Sequence, residues 1–116
     1  MLEHGDNTYV MQFRRRINIQ LLKYYLYIGK PDYALNIFNE LLQTPSKVVD
    51  NRIYLVAIDL VLDKYDAAAK LYHDITKTGI RVTDINNLRG FLTTLKHKNI
   101  ALPTINRFCK EFNLNY

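Results

Sequence analysis

The residues most often used in catalysis are few in this chain and far apart. Three histidines lie in polar stretches, each without a second ligand three or four residues away: His4, His73 and His97. The single cysteine, Cys109, falls on an apolar face, which is typical of a small buried side chain and not of a nucleophile. The 4 glycines include no paired set for a phosphate-binding loop. The sequence therefore predicts a non-enzyme with no catalytic residues, no cofactor and no metal site.

Charged residues favour a different chemistry, the binding of phosphate groups. Four bases stand close together with no acid among them: Arg14, Arg15, Arg16 and Lys23. The segment 31–43 carries Asp32 and Glu40 and no base. A basic face backed by an acidic one suits the phosphates of RNA, which supply most of the nonspecific affinity. The alternative is a solvated helix start that contacts no partner.

The composition is that of one folded domain. Its 116 residues are 48% apolar and 23% charged, which is enough for a core without disulfides or metals. One cysteine cannot close an internal disulfide, so nothing requires an oxidising compartment. No apolar run approaches the roughly 18 residues of a membrane span. With a net charge of +5, the chain is expected to be soluble and suited to polyanionic partners.

The elements that must position these residues are helices. Apolar residues recur every three or four positions, and alternation with period two is nowhere sustained. Six helices are predicted, at about residues 9–28, 31–43, 46–63, 65–78, 83–95 and 103–112. In the first helix, one stripe is predicted to face the core, and it consists of Ile17, Leu21, Leu22, Tyr25 and Ile28.

The second and fourth predicted helices are alike at an offset of 34 residues. Setting the segment 32–38 over the segment 66–72 aligns Asp with Asp, Ala with Ala, Ile with Leu and Phe with Tyr. The small Ala34 and Ala68 would let the second helix of each hairpin approach the first closely. A period of this length is typical of solenoids built from helical hairpins.

The segment 65–75, followed by Thr78, Gly79 and Ile80, resembles the second helix and closing turn of the pentatricopeptide repeat family, and more loosely of the tetratricopeptide family. The resemblance implies an all-α solenoid of about three antiparallel helix pairs. The hairpins would span about 14–45, 46–81 and 82–114, after an N-terminal extension at 1–13.

That resemblance also implies a function without catalysis. The chain would bind single-stranded RNA or a ribonucleoprotein in mitochondrial gene expression, as fungal members of the family do in transcript stability or translation. The alternative is a tetratricopeptide-like scaffold that binds a protein, or a subunit of a larger assembly or longer repeat array.

The repeat register of the family implies where RNA would bind. It places Ile19, Ile53 and Arg89 at the base-reading position, and apolar side chains there do not support a one-base-per-repeat code. The implied phosphate contacts are Arg14, Arg15, Arg16, Lys23, Arg52 and Arg89. The implied stacking residues are Tyr24, Tyr27 and Tyr54. The alternative for these tyrosines is packing within the hairpins.

Overall fold

The computed structural model describes the backbone of residues 3–43 and 51–114 and the side chains of residues 10–43 and 51–114. These residues form six helices: α1 (Glu3–Tyr27), α2 (Pro31–Leu41), α3 (Arg52–Val61), α4 (Tyr65–Lys77), α5 (Val82–His97) and α6 (Leu102–Glu111). No strand occurs in the described ranges, so the predicted all-α class is confirmed. Residue 46, the predicted start of the third helix, lies outside them.

The N-terminal end of α1 lies earlier than the apolar pattern predicts. Helical backbone begins at Glu3, about six residues before the predicted start near residue 9. This stretch contains no proline, and a helix that is already nucleated propagates at little cost. The apolar pattern underestimates the length of α1 because it detects only the part of a helix that carries a periodic apolar face.

The turn from α1 to α2 explains why the first helix ends where it does. Gly29 adopts a left-handed conformation with φ 75°, which is accessible to glycine at no steric cost. The backbone N–H of Lys30 donates to the carbonyl of Tyr25 at 2.8 Å, the six-to-one bond of a Schellman motif. Pro31 then opens α2 at a position where its missing N–H leaves nothing unsatisfied.

The turn from α3 to α4 repeats this geometry 34 residues later. Asp63 occupies the left-handed position with φ 62°. The N–H of Lys64 donates to the carbonyl of Asp59 at 2.8 Å, and α4 begins at Tyr65. The offset found in the sequence therefore also holds for backbone conformation at the two turns.

The turn from α5 to α6 has one residue more. Its six-to-one bond joins the N–H of Ile100 to the carbonyl of Leu95 at 3.0 Å, with Asn99 left-handed at φ 60°. Ala101 follows, also left-handed at φ 48°, before α6 begins at Leu102. An alanine in this region is strained, because its Cβ approaches the following carbonyl oxygen.

Replacing Ala101 by glycine should therefore stabilise the protein by about 0.5–1 kcal/mol. Relief of a penalty of roughly 1–2 kcal/mol exceeds the extra backbone entropy that glycine gives the unfolded chain. Ala67, exposed in the first turn of α4, is the matched control, because glycine in place of a helical alanine should destabilise the protein. Urea unfolding of both variants measures the difference. Destabilisation of both would contradict the left-handed assignment at residue 101.

The two alanines predicted to allow close helix approach are buried. Ala34 in α2 and Ala68 in α4 have no exposed surface. The aromatic residues four positions later, Phe38 and Tyr72, are also buried. Positions that correspond at the 34-residue offset are therefore buried to the same extent.

The helices pack around α3, which contacts α2, α4, α5 and α6. α1 packs along α2 and also meets α5, while α6 contacts α3 and α4 in addition to α5. The molecule measures 52 × 31 × 23 Å. α3 is accordingly the most enclosed helix, and six of its ten residues are buried: Ile53, Tyr54, Val56, Ala57, Ile58 and Leu60.

The inward face of α1 is not the predicted one. The structure buries Leu22 and Leu26 completely, whereas Ile17, Leu21 and Ile28 are 44%, 39% and 45% exposed. Of the predicted inward stripe, only Leu22 is fully buried and Tyr25 is half-buried. α1 carries two apolar rows on opposite sides, and steps of three and four residues fit both rows equally well. The row through Leu22 and Leu26 faces the core, and the other row faces outward.

Candidate interaction surface on the first helix

The outward row of α1, hereafter the outer stripe, consists of Val10, Phe13, Ile17, Leu21, Tyr24 and Ile28. Each of these side chains is between 39% and 58% exposed. Successive members are three or four residues apart, so they fall within about 80° of the helix circumference. The stripe extends over five turns, or about 27 Å. Six large apolar side chains in one exposed row exceed the scattered apolar residues of an ordinary surface.

The middle of the outer stripe forms a shallow depression. It is lined by Phe13, Arg16, Ile17, Gln20, Leu21 and Tyr24. The lining is almost wholly apolar apart from the guanidinium of Arg16 and the amide of Gln20. Such a surface can take an apolar side chain at its floor and an anionic group at its edge.

The charge of the protein is concentrated beside this stripe. Residues 7–31 contain five bases and no acid, and the remaining 11 basic and 11 acidic residues of the chain balance one another. Arg14 and Arg16 are exposed on either side of the stripe, and Lys23 is half-buried. The whole net charge of +5 is therefore contributed by the segment that carries the outer stripe.

On the side toward α2, the basic edge meets a polar cleft. Arg14, Asn18, Glu40 and Gln43 line this cleft. Asn18 is only 7% exposed, whereas the other three are exposed. The cleft separates the outer stripe from α2 and gives one edge of the stripe a polar border.

Arg15 contributes to the fold. Its Nη2 donates to Oδ1 of Asn51 at 2.6 Å, and Nδ2 of Asn51 donates to the carbonyl of Leu41 at 3.3 Å. This chain of hydrogen bonds connects α1 to the end of α2 and to the start of α3. Of the three consecutive arginines, Arg15 is the one directed inward.

The two bases predicted on other helices also make internal contacts. Arg52 of α3 donates to Oγ1 of Thr78 at 3.5 Å. Arg89 of α5 donates from Nε to the carbonyl of Leu114 at 3.3 Å and from Nη1 to Oδ1 of Asn86 at 3.4 Å. Both residues are half-buried and lie on helices other than α1. Of the predicted phosphate contacts, Arg16 lines the depression of the outer stripe and Arg14 lines the polar cleft beside it.

The three tyrosines predicted to stack on bases differ in their surroundings. Tyr24 belongs to the outer stripe and is 56% exposed. Tyr27 and Tyr54 instead pack edge-on against Phe91 of α5, with ring centroids 5.5 and 6.1 Å apart. Burial raises the pKa of both hydroxyls above the ordinary value for tyrosine. Tyr54, only 5% exposed, is a core residue, so the packing alternative describes it.

At the other end of the molecule, aromatic rings join α4 to α6. Phe108 is fully buried, and its ring centroid lies 5.4 Å from that of Tyr72 and 4.7 Å from that of Phe112. The guanidinium of Arg107 lies 3.7 Å above the ring of Tyr65, whose hydroxyl donates to the carboxylate of Glu111. Burial, and then the hydrogen bond to Glu111, raise the pKa of Tyr65 to about 12.

The other candidates for chemistry stand apart from one another. Cys109 is buried, and burial raises the pKa of its thiol, as the sequence predicts for a structural side chain. His73 and His97 are exposed on α4 and α5, and His4 precedes the described side chains. Within the described ranges, no three His, Cys, Asp or Glu residues are placed to hold a metal ion. In the same ranges, no helix is both long and apolar enough to cross a membrane.

Sequence reasoning identified the basic segment of α1 but missed the outer stripe. Its members were present in the pattern as a second apolar row, and Ile17, Leu21 and Ile28 were assigned to the core. The available signal is that residues 7–31 hold more apolar side chains than one inward face of a helix needs, together with five bases and no acid. Comparison of the chain with family models, with curated proteins and with solved structures gives no match.

Proposed function

We propose that the chain is a non-catalytic helical-hairpin repeat module that docks onto a protein component of a ribonucleoprotein in mitochondrial gene expression. The outer stripe of α1 carries this proposal, because six exposed apolar side chains in a row are typical of a surface that is covered in a complex. The resemblance to pentatricopeptide repeats supports the mitochondrial setting and a role in transcript stability or translation.

The repeat architecture has its own support. The turns at residues 29–30 and 63–64 share one conformation, and the buried Ala34 and Ala68 occupy equivalent positions. In a solenoid each hairpin covers its neighbour, so an exposed apolar row on one hairpin is a surface that a further element can cover. The outer stripe belongs to the first of the hairpins.

A photocrosslinking amino acid tests the docking role directly. Benzoylphenylalanine at position 13 should form a protein adduct in a mitochondrial extract, and the adduct should persist after ribonuclease treatment. The same amino acid at position 82, which replaces an exposed valine on α5, serves as control and should give at least about ten-fold less of that adduct. An adduct that ribonuclease destroys, or equal adducts from both positions, would contradict the proposal.

Direct binding of single-stranded RNA is the second candidate, and the acid-free basic segment at 7–31 favours it. Phosphates would contact Arg14, Arg16 and Lys23, and bases would stack on Phe13 and Tyr24. Arg15 is left out because it donates to Asn51.

For this candidate, replacing Arg14 and Arg16 together by serine should reduce the salt dependence of RNA binding. Loss of two phosphate contacts should lower the slope of log K against log salt by about 1.4. The measurement is titration of a labelled AU-rich RNA of about 20 nucleotides at several salt concentrations. Replacing the exposed Lys70 and Lys110 by serine is the control of equal charge change. An unchanged slope in the arginine variant would exclude the α1 surface as the RNA site.

A further inference from the structure

We infer that the outer stripe binds an acidic amphipathic α-helix of a partner protein, an inference that rests on the proposed docking function. The shape of the surface gives the first argument. The stripe is straight, about five turns long and spaced at three and four residues, which matches the apolar seam of a second helix lying along α1. Recognition of this kind uses apolar anchors at i, i+3, i+4 and i+7 on the bound helix.

Charge gives the second argument, and it determines which residues should flank the apolar seam of the bound helix. Arg14 and Arg16 border the stripe, and no acid lies between residues 7 and 31. A helix with Glu or Asp beside its apolar seam would place carboxylates against these guanidinium groups. A helix with basic flanks would instead place like charges side by side, which disfavours it.

The same charge argues against a second copy of this chain. A two-fold pair of α1 helices would bring the exposed Arg14 and Arg16 of both copies to one interface, with no acid between residues 7 and 31 to pair with them. The stripe therefore lacks the self-complementarity that a symmetric dimer needs.

The chemistry of the side chains also distinguishes a helix from RNA at this place. Four of the six members, Val10, Ile17, Leu21 and Ile28, are aliphatic and offer no ring on which a base can stack. Aliphatic residues in a row fit the Leu and Ile side chains of an amphipathic helix. RNA contact with α1 would use its charges and two aromatic rings and would leave most of the stripe uncovered.

Synthetic helices of about 20 residues test the inference on the full chain. The first peptide has Leu and Ile at i, i+3, i+4 and i+7 with Glu at the flanks, and the second has the same seam with Lys at the flanks. Fluorescence anisotropy should show that the protein binds the Glu peptide at least about ten-fold tighter than the Lys peptide. A scrambled Glu peptide of equal composition should bind no better than the Lys peptide.

Variants locate the binding on the outer stripe. Ile17→Glu with Leu21→Glu should weaken binding of the Glu peptide by at least about ten-fold, whereas Val82→Glu, at an exposed valine of α5, should leave it unchanged. Arg14→Glu with Arg16→Glu should reverse the preference in favour of the Lys peptide. Lys70→Glu with Lys110→Glu carries the same charge change away from α1 and should preserve the preference.

The possible failures are distinguishable. The wild-type protein could bind the Glu and Lys peptides equally, and the Ile17→Glu, Leu21→Glu variant could lose both. That result would overturn the inference that the bound helix is acidic, but it would not contradict the docking function. A wild-type dimer in sedimentation that the same variant dissociates would overturn the inference in favour of a second copy. Binding of AU-rich RNA by the protein, with no binding of either peptide, would assign the surface to RNA. No peptide binding together with no protein adduct at position 13 would overturn both the inference and the docking function.

Discussion

Replacing Phe108 by alanine should lower the free energy of unfolding by about 3–5 kcal/mol. The ring is fully buried and contacts the rings of Tyr72 and Phe112. Truncation removes the centre of the aromatic cluster that joins α6 to α4, and these neighbours are too large to collapse into the space. Urea or guanidinium unfolding, followed by circular dichroism, measures the loss.

Phe13 supplies the matched control for this substitution. It is also a phenylalanine on a helix, but it is 58% exposed in the outer stripe. Phe13→Ala should change the stability of the free protein by less than about 0.5 kcal/mol. Equal losses at positions 13 and 108 would mean that the packing of α6 on α4 is not the one described.

Enlarging the small buried residue of either hairpin should destabilise the protein by about 1–3 kcal/mol. Ala34 and Ala68 have no exposed surface, so a leucine at either position must displace its neighbours. Because the two positions are equivalent in the 34-residue offset, the two losses should be similar in size. Thermal or urea unfolding of Ala34→Leu and Ala68→Leu gives both values.

Ala67→Leu is the control for these two variants. Ala67 precedes Ala68 in α4 but is exposed, and leucine is nearly as good a helix former as alanine. The change should be within about 0.5 kcal/mol of zero. A neutral result at Ala34 or Ala68 would show that these alanines do not set the distance between the helices of each hairpin.

Much of the fold could be predicted from local features of the chain. Gly29 and Pro31 specify the first hairpin turn, since one accepts a left-handed conformation and the other suits only the first turn of a helix. The second turn could be placed by its offset of 34 residues, although Asp63 stands where glycine stands in the first. The third turn could not be placed to the residue, because nothing in the sequence signals a left-handed Ala101.

The inward face of α1 could not be predicted for a different reason. Periodicity shows that a helix has an apolar row, but only its neighbours determine which row is covered. Leu22 and Leu26 are covered because α2 packs on their side, and this contact joins parts of the chain that periodicity treats separately. From the sequence, a single apolar stripe is assigned to α1, and for that reason the outer stripe is not identified.

The sequence shows that the candidate site is basic, but it does not show in which direction each basic side chain points. The run Arg14 to Arg16 is evident from the sequence, but its three side chains point in different directions around the helix, as residues 100° apart must. Arg15 therefore reaches Asn51, while Arg16 lines the depression of the outer stripe and Arg14 lines the cleft beside it. Which arginine contributes to the fold and which contribute to a surface depends on where α3 begins.

The position of α1 in the packing has a consequence for how its surface would be used. α3 is enclosed by four helices, whereas α1 packs on α2 along one side and meets α5. Helices with tertiary support on one side open locally at a lower free energy than enclosed ones, and their amide hydrogens exchange sooner. A partner seated on the outer stripe would supply the missing support, so part of its binding free energy would go into holding α1 in place. Affinity at this surface would then be lower than its apolar area suggests, and association would be easier to reverse.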